Sequence, residues 1–251
     1  NLARAISKTV HNACPDTVMA LQNGYNGIYT GYGHDYIFDV MYEETGHAPM
    51  YRAGGGAYND HNPNDVMEKV IGAAWQHSML PEYVTCLCPE IESTPDTAMG
   101  KTMYGTALET ALNLANGATD ISYAILGAVP EENEFYERGF KLFSKQRDYY
   151  ERLSEISKRS KGGGISYAHS KVSHLRPLAE NDTMYDFFLQ AFSGANALVR
   201  NALPIDYTER ENGVYILHPA TAKQMTKDDL VSLCKKNVIT DTETILYMKT
   251  I

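Results

Sequence analysis

Apolar residues recur along the first half of the chain with two spacings, one typical of helices and one of strands. Leu2, Ile6 and Val10 lie one helical turn apart and predict an amphipathic helix, and the run T-V-M-A-L-Q at 17–22 predicts a short buried strand. The same spacings predict helices over 37–44, 66–79 and 103–115, and strands over 48–53, 83–92 and 120–126. In the helix over 103–115 the apolar residues, Leu108 among them, predict the buried side.

Strands that alternate with helices predict an α/β fold with a parallel sheet and right-handed crossovers. Strand, loop and helix follow one another four times here, which is half of an eight-stranded barrel. We therefore expect residues 1–160 to form a partial (β/α)8 TIM-type barrel of about four βα units. An open doubly wound sheet is the alternative architecture, because it has the same alternation of elements.

The pattern changes after residue 131. A long charged helix is predicted over 132–159, and the sequence S-K-G-G-G follows it at 160–164. Residues 161–202 are predicted to form a linker and a helix, and residues 203–251 the start of a small α/β domain. The last helical pattern runs to the final residue and the first begins without a cap, so both ends are expected to be interruptions of a longer protein.

Two capping boxes are predicted in the C-terminal part of the chain. Thr226-x-x-Asp229 is the usual box with Asp in place of Glu, and Thr240-x-x-Glu243 fits the box itself. Each box predicts the start of a short helix.

Composition narrows the classes of function. With 43% hydrophobic and 21% charged residues, the 251-residue chain has the composition of a globular protein. A net charge of −9 argues against binding to nucleic acid or to anionic membranes. No apolar run approaches the roughly 20 residues that span a bilayer. Four cysteines do not make a disulfide framework, so free thiols and a cytoplasmic location are expected.

Two acids end the third predicted strand, in the sequence C-P-E-I-E. If the strand extends through Glu92, then Val84, Cys86, Cys88, Glu90 and Glu92 share one face. Acids at the end of a buried strand are costly unless they are paired or used in catalysis. Their Cβ atoms would lie roughly 6.5–7 Å apart, a distance that does not exclude a pair of glycosidase carboxylates. Because both would approach a substrate from one side, we expect one acid to be catalytic, with a partner on another strand. The alternative is a structural acid, with Glu90 bonded to Arg52 or to a lysine in the barrel floor.

The residues that follow each strand of a parallel barrel line its catalytic face. Flat aromatic rings stack on the C–H face of a sugar, and carboxylate, imidazole and guanidinium groups bond its hydroxyls. Carbohydrate is therefore the expected substrate, and the alternative for the tyrosines is a loop with no part in recognition. The candidate substrate-binding residues are Tyr29, Tyr32, Arg52, Tyr58, Asp60 and His61.

A metal-dependent hydrolase is a rival hypothesis. Its nitrogen and oxygen ligands would be His34, Asp35, Asp60 and His61 with the two glutamates. Their spacing matches no metal motif of the H-E-x-x-H kind, and the glycines at 54–56 lack the phosphate-loop pattern. We therefore expect neither a metal nor a cofactor.

The runs I-E-S-T-P at 91–95 and A-L-N-L-A-N-G-A-T-D-I-S-Y at 111–123 resemble the closing part of a family 42 β-galactosidase-type barrel. The runs R-A-G-G-G-A-Y-N-D at 52–60 and P-E-I-E at 89–92 are similar to patterns in uncharacterised bacterial glycoside-hydrolase-like barrels. The resemblance implies that the four predicted strands are strands five to eight of a barrel. It also implies that Glu92 matches the nucleophile that ends strand seven, with Glu90 as a supporting acid. A flavodoxin-like α/β domain often follows such barrels, and residues 203–251 are similar to its opening portion.

In that family the general acid belongs to an Asn-Glu pair on strand four, which would precede Asn1. The resemblance therefore implies a retaining β-glycoside hydrolase whose general acid lies upstream of this chain. The alternative is a non-catalytic half-barrel that binds carbohydrate or self-assembles. Open strand edges favour that outcome, through pairing with another copy or with the missing half of the barrel.

Overall fold

The computed structural model forms two compact units. The first contains the described residues up to 160 and the second those from 162 onward. Both are α/β with parallel sheets, as the alternation of elements predicts. No described helix combines enough length with enough apolar character to cross a bilayer. The structure describes residues 2–24, 34–54, 58–62, 65–93, 100–126, 133–160, 162–169, 194–207 and 210–251.

Helices and short strands alternate through the first unit. In chain order they are α1 (Leu2–Ala13), β1 (Ala20–Gln22), α2 (His34–Thr45), β2 (Met50–Arg52), α3 (Asp65–Ser78), β3 (Cys86–Leu87), β4 (Glu90–Glu92), α4 (Met103–Ala115), β5 (Ser122–Ala124) and α5 (Asn133–Arg159).

The strands of the first unit lie side by side in the order in which they occur along the chain. β2 pairs with β1 and β3, and β4 pairs with β5, all in parallel. Backbone hydrogen bonds from Cys88 N to Tyr51 O (2.8 Å) and from Glu90 N to Ala53 O (3.0 Å) continue the ladder of β2 beyond β3. β3 and β4 are therefore two halves of one extended segment between β2 and β5.

The predicted third strand is interrupted in its middle, at residues 88–89. Pro89 has no N–H, so it cannot donate to the ladder at its own position. Its carbonyl still accepts the Ser122 N–H at 3.1 Å, and the paired β4 segment begins at the next residue.

The two faces of this sheet differ in chemistry. On one face Tyr51 and Ala53 pack with Phe38 of α2 and Ala73 of α3 in a buried apolar cluster. Side chains alternate along each strand, so the neighbours of Tyr51 point the other way. That opposite face carries polar residues that are partly or fully exposed, and we call it the open face; it includes Gln22, Arg52, Cys88, Glu90 and Glu92.

The second unit has a different strand order. Its sheet is parallel throughout, in the order β7-β6-β8-β9, so the first strand of the unit lies between the second and the third. Leu217, Ala222 and Leu230 belong to its buried core. The elements are β6 (Ile165–Tyr167), α6 (194–200), β7 (Ile205–Asp206), β8 (Val214–Leu217), α7 (Pro219–Gln224), α8 (Lys227–Leu233), β9 (Asn237–Thr240) and α9 (Thr242–Met248).

Strand β6 lies within residues 161–202, for which the sequence predicts a linker and a helix. Its three residues, I-S-Y, are too few to give an alternating pattern. Their pairing with both β7 and β8 is what makes them a strand. The helix predicted within 161–202 is present at residues 194–200, and residues 170–193 lie outside the described residues.

One of the two predicted capping boxes is confirmed and the other is wrong by one residue. Thr226 Oγ1 accepts the Asp229 N–H at 3.1 Å, and Asp229 Oδ2 accepts the Thr226 N–H at 3.0 Å. In α9 the cap is Asp241, whose side chain accepts the Thr244 N–H at 2.8 Å. The predicted cap, Thr240, is still paired with Leu217 in the sheet, so the helix begins one residue later.

Removal of the Thr226 cap should loosen α8 locally. Loss of a threonine cap costs about 1 kcal/mol, which corresponds to amide exchange roughly fivefold faster in the helix it caps. We expect that change in residues 227–233 of T226A by hydrogen exchange and mass spectrometry. T242A, at an exposed threonine in the first turn of α9, is the matched control. Equal exchange in T226A and the native chain would contradict the capping assignment.

Candidate functional site

Polar side chains converge on the open face where the strands of the first unit end. Gln22 and Arg52 are paired neighbours at the ends of β1 and β2. Glu90 and Glu92 flank the fully buried Ile91 in β4, so both acids point to the open face while Ile91 points to the core. The carboxyl ends of parallel strands meet at one edge of a sheet, and these residues therefore form one cluster.

Arg52 is the central cation of this cluster. Its guanidinium forms an ion pair with Glu90, and both side chains are largely buried, with 18% and 15% of their surfaces exposed. The side-chain amide of Gln22 contacts the same guanidinium, and the amide orientation that satisfies both groups turns its oxygen toward Arg52. Partial burial lowers the pKa of Arg52, and the negative charge of Glu92 opposes that shift. The structure thus brings Arg52 and Glu90 together in the arrangement that the structural-acid alternative predicts.

Glu92 is held differently. No ion pair or hydrogen bond joins its carboxylate to another side chain in the described part of the chain, although Arg52 is near enough to sense its charge. Its backbone is fixed on both sides of the strand. The Glu92 carbonyl accepts from Lys101 Nζ at 2.8 Å, and the next amide, Ser93 N–H, donates to Ala124 O at 3.2 Å.

The thiols of Cys88 on the open face and of Cys86, two residues before it, stay protonated near neutral pH. Burial raises the pKa of Cys86 to about 12, with a further contribution from its hydrogen bond to Asp120 Oδ2 at 3.2 Å. Burial also raises the pKa of Cys88, and the charge of Arg52 only partly offsets this. A thiol nucleophile requires a lowered pKa, so neither cysteine is suited to that role.

Tyr58 and Asp60 hold the loop after β2 against the start of α4. Tyr58 is 5% exposed, its hydroxyl lies near the Asp60 side chain, and the Lys101 ammonium lies 5.1 Å from its ring centroid. Asp60 Oδ2 accepts the Thr102 N–H at 2.8 Å, where a carboxylate also complements the helix dipole. Burial raises the pKa of Tyr58, with a smaller contribution from the Asp60 charge. These contacts give both residues a structural role, and their assignment to substrate remains a prediction.

Of the remaining predicted residues, His61 is not brought into the cluster. His61 is exposed, and its N–H donates to Asn59 Oδ1 at 3.0 Å. Tyr29 and Tyr32 lie outside the described residues. Within the described ranges, no group of three His, Cys, Asp or Glu side chains is placed to hold a metal ion. The structure therefore does not assemble the ligand set of the metal-hydrolase hypothesis. His34 Nε2, for example, lies 3.0 Å from the side-chain nitrogen of Asn23.

Sequence reasoning missed a buried charge cluster beside this site. Glu109 of α4 is fully buried and forms ion pairs with Lys69 of α3, at 2.6 Å, and with Lys101. Four of the six buried residues of α4 are therefore polar, whereas Leu108, predicted to be buried, is 53% exposed. The available signal was an acid between apolar residues in A-L-E-T-A-L, but helical periodicity places Leu108 and Glu109 on neighbouring sides and cannot choose between them.

The Arg52–Glu90 pair should contribute measurable coupling to the stability of the first unit. R52M and E90Q should each cost about 2 kcal/mol, because each leaves a largely buried polar partner unmatched. The double variant should cost about 1 kcal/mol less than the sum of the two. Urea unfolding followed by the fluorescence of Trp75, the single tryptophan, reports on this unit. Strict additivity would show that the two charges do not interact.

We compared the chain with family models, with curated proteins and with solved structures, and found no match in any of the three comparisons.

Proposed function

We propose that the first unit is half of a (β/α)8 barrel and that it contributes the nucleophile of a retaining β-glycoside hydrolase. The observation that carries this is the position of Glu92, a carboxylate without an ion pair among the described residues at the carboxyl end of a parallel strand. A retaining glycosidase needs such a group to attack the anomeric carbon of its substrate.

The strand order supports the barrel. Strands β1, β2, β3–β4 and β5 are neighbours in chain order and run parallel, and α2 and α3 contribute to the cluster on the face opposite the two acids. A barrel has this sequential order around its whole circumference, whereas a doubly wound sheet reverses direction at a switch point. In a barrel the open face would be the interior, which explains why a parallel sheet has partly exposed polar residues there.

The second unit has such a reversal. Counted within the unit, its order β7-β6-β8-β9 is 2-1-3-4, the order of flavodoxin-like sheets. We therefore propose a flavodoxin-like accessory domain after the half-barrel, in keeping with the family that the sequence resembles.

The two acids have different proposed tasks. Glu90 forms an ion pair with Arg52, which makes it a poor nucleophile. Its proposed task is to hold Arg52 in place and to accept a hydrogen bond from a sugar hydroxyl. Glu92 is the nucleophile: its carboxylate oxygen forms a bond to the anomeric carbon as the bond to the leaving oxygen breaks, and water later hydrolyses the glycosyl ester. The Arg52 guanidinium places a positive charge near Glu92, and the charge of Glu92 in turn raises the pKa of Arg52.

A retaining enzyme also needs a general acid about 5–5.5 Å from the nucleophile, on the other side of the scissile bond. We assign none of the described residues to that role. In the family that the chain resembles, the acid belongs to strand four, upstream of the strands found here. Substrates whose leaving group needs no proton are therefore the right probes for this chain.

A non-catalytic half-barrel that binds carbohydrate or associates with another copy is the second candidate. It is favoured by the two edge strands, because β1 and β5 each pair on one side only in the described part of the chain. Unpaired strand edges promote association. Binding of sugar without any covalent labelling would support this candidate.

The nucleophile can be tested by trapping. Dinitrophenyl 2-fluoro β-glycosides of galactose and of glucose have a leaving group that departs without protonation, and the fluorine slows release of the glycosyl ester. We expect peptide mass spectrometry to find the sugar on Glu92 of the native chain. E92Q should remain unlabelled. E90Q should be labelled more slowly, because the released Arg52 can then pair with Glu92. Labelling of Glu90 would overturn the assignment of Glu92, and the absence of labelling from both sugars would overturn the proposed reaction.

A further inference from the structure

Three charged side chains are buried together beneath the end of β4. Glu109 is fully buried, and Lys69 and Lys101 are 4% and 3% exposed. Lys69 Nζ lies 2.6 Å from Glu109 Oε1, and Lys101 Nζ forms an ion pair with Glu109 Oε2. The cluster joins α3, α4 and the turn before α4, and we call it the lysine–glutamate cluster.

The cluster contains one more positive charge than negative. Glu109 carries one negative charge for two ammonium groups, and the charge of Asp60 gives Lys101 a second, weaker compensation. Burial lowers the pKa of Lys101, whereas the Glu109 charge raises it. For a cluster that only holds two helices together, one lysine would be enough. The second lysine therefore requires an explanation beyond helix packing.

Lys101 makes the contacts that Lys69 does not. Its ammonium donates to the Glu92 carbonyl at 2.8 Å and lies 5.1 Å from the centroid of the Tyr58 ring. Tyr58 in turn forms a parallel bridge with Ser93, the residue after Glu92. Lys101 is therefore bonded to the peptide of Glu92 and packed against the segment beside it.

We propose that Lys101 is a positioning residue, held in place by Glu109, that fixes the backbone of Glu92 and through it the orientation of the Glu92 carboxylate. This inference rests on the proposed function of Glu92 and adds a part of the chain that does not touch the sugar. Lys69 forms an ion pair with the second oxygen of Glu109, which keeps the carboxylate oriented toward Lys101. Misplacement of a reacting group by about 1 Å can reduce a rate 100-fold, so such a support affects chemistry more than binding.

The two lysines provide a matched pair of variants. K101M leaves a Lys69–Glu109 pair, and K69M leaves a Lys101–Glu109 pair, so each removes one buried positive charge and retains one ion pair. Only K101M removes the bond to the Glu92 carbonyl. Both variants should remain folded by urea unfolding, with K101M the less stable of the two because it also loses this bond.

Labelling by the 2-fluoro glycoside measures the positioning effect. We expect K101M to lower the maximal labelling rate of Glu92 at least about tenfold, with the half-saturating reagent concentration within about twofold of the native value. K69M should keep its maximal rate within about threefold of the native chain. Equal losses in both variants, or a native rate in K101M, would overturn the positioning role.

Hydrogen exchange separates this inference from the proposed reaction. Without Lys101 the end of β4 should open more often, so the peptide that contains the Ile91, Glu92 and Ser93 amides should exchange at least about fivefold faster in K101M than in K69M. This readout needs no substrate. If the native chain is not labelled but this difference is found, the reaction is wrong and the support of the Glu92 backbone is right. Identical exchange in the two variants would contradict that support whatever the labelling shows.

Discussion

The ammonium group of Lys101 connects the parts of the first unit that matter most for the proposed site. It bonds the carboxylate of Glu109 inside α4 and the carbonyl of Glu92 at the end of β4, and it packs on the Tyr58 ring. A buried ammonium must keep its acceptors, because an unpaired charge in the interior is costly. That requirement fixes the distance between α4 and the end of the strand. The hydrogen bond from the N–H of Thr102, the N-cap of α4, to Asp60 acts in the same direction, since it ties the loop after β2 to the same helix.

A second ionic contact, on the open face, distinguishes the two acids of β4. Glu90 forms an ion pair with Arg52, while the Glu92 carboxylate forms none within the described residues. Two acids that look equivalent in sequence thus acquire different environments from one neighbouring strand. The proposed division between a nucleophile and a supporting acid follows from this asymmetry, and the same arginine that neutralises Glu90 also keeps a positive charge near Glu92.

Much of the fold could be predicted from the sequence, because helices and strands have different apolar spacings. The alternation of elements in the first unit and the Thr226 capping box are of this kind. Features that depend on distant partners were not predictable. Strand β6 is defined by its two neighbours, and the buried side of α4 is determined by Lys69 and Lys101, which lie on other elements. The site shows the same division. Position within the strand predicts that Glu90 and Glu92 share one face, but which of the two acids pairs with Arg52 depends on how the strands pack.

The central claim, that Glu92 is a nucleophile, is tested most directly by removing its carboxylate and supplying a small external nucleophile. In E92A, azide ion can enter the space left by the side chain. It can then attack the anomeric carbon of a dinitrophenyl β-glycoside from the α face, the face that Glu92 would attack. The product of that single displacement, identified by NMR, is predicted to be the α-glycosyl azide, formed by E92A and not by the native chain. If E92A forms a β-glycosyl azide, or hydrolyses the activated glycoside as fast as the native chain does, Glu92 is not the nucleophile.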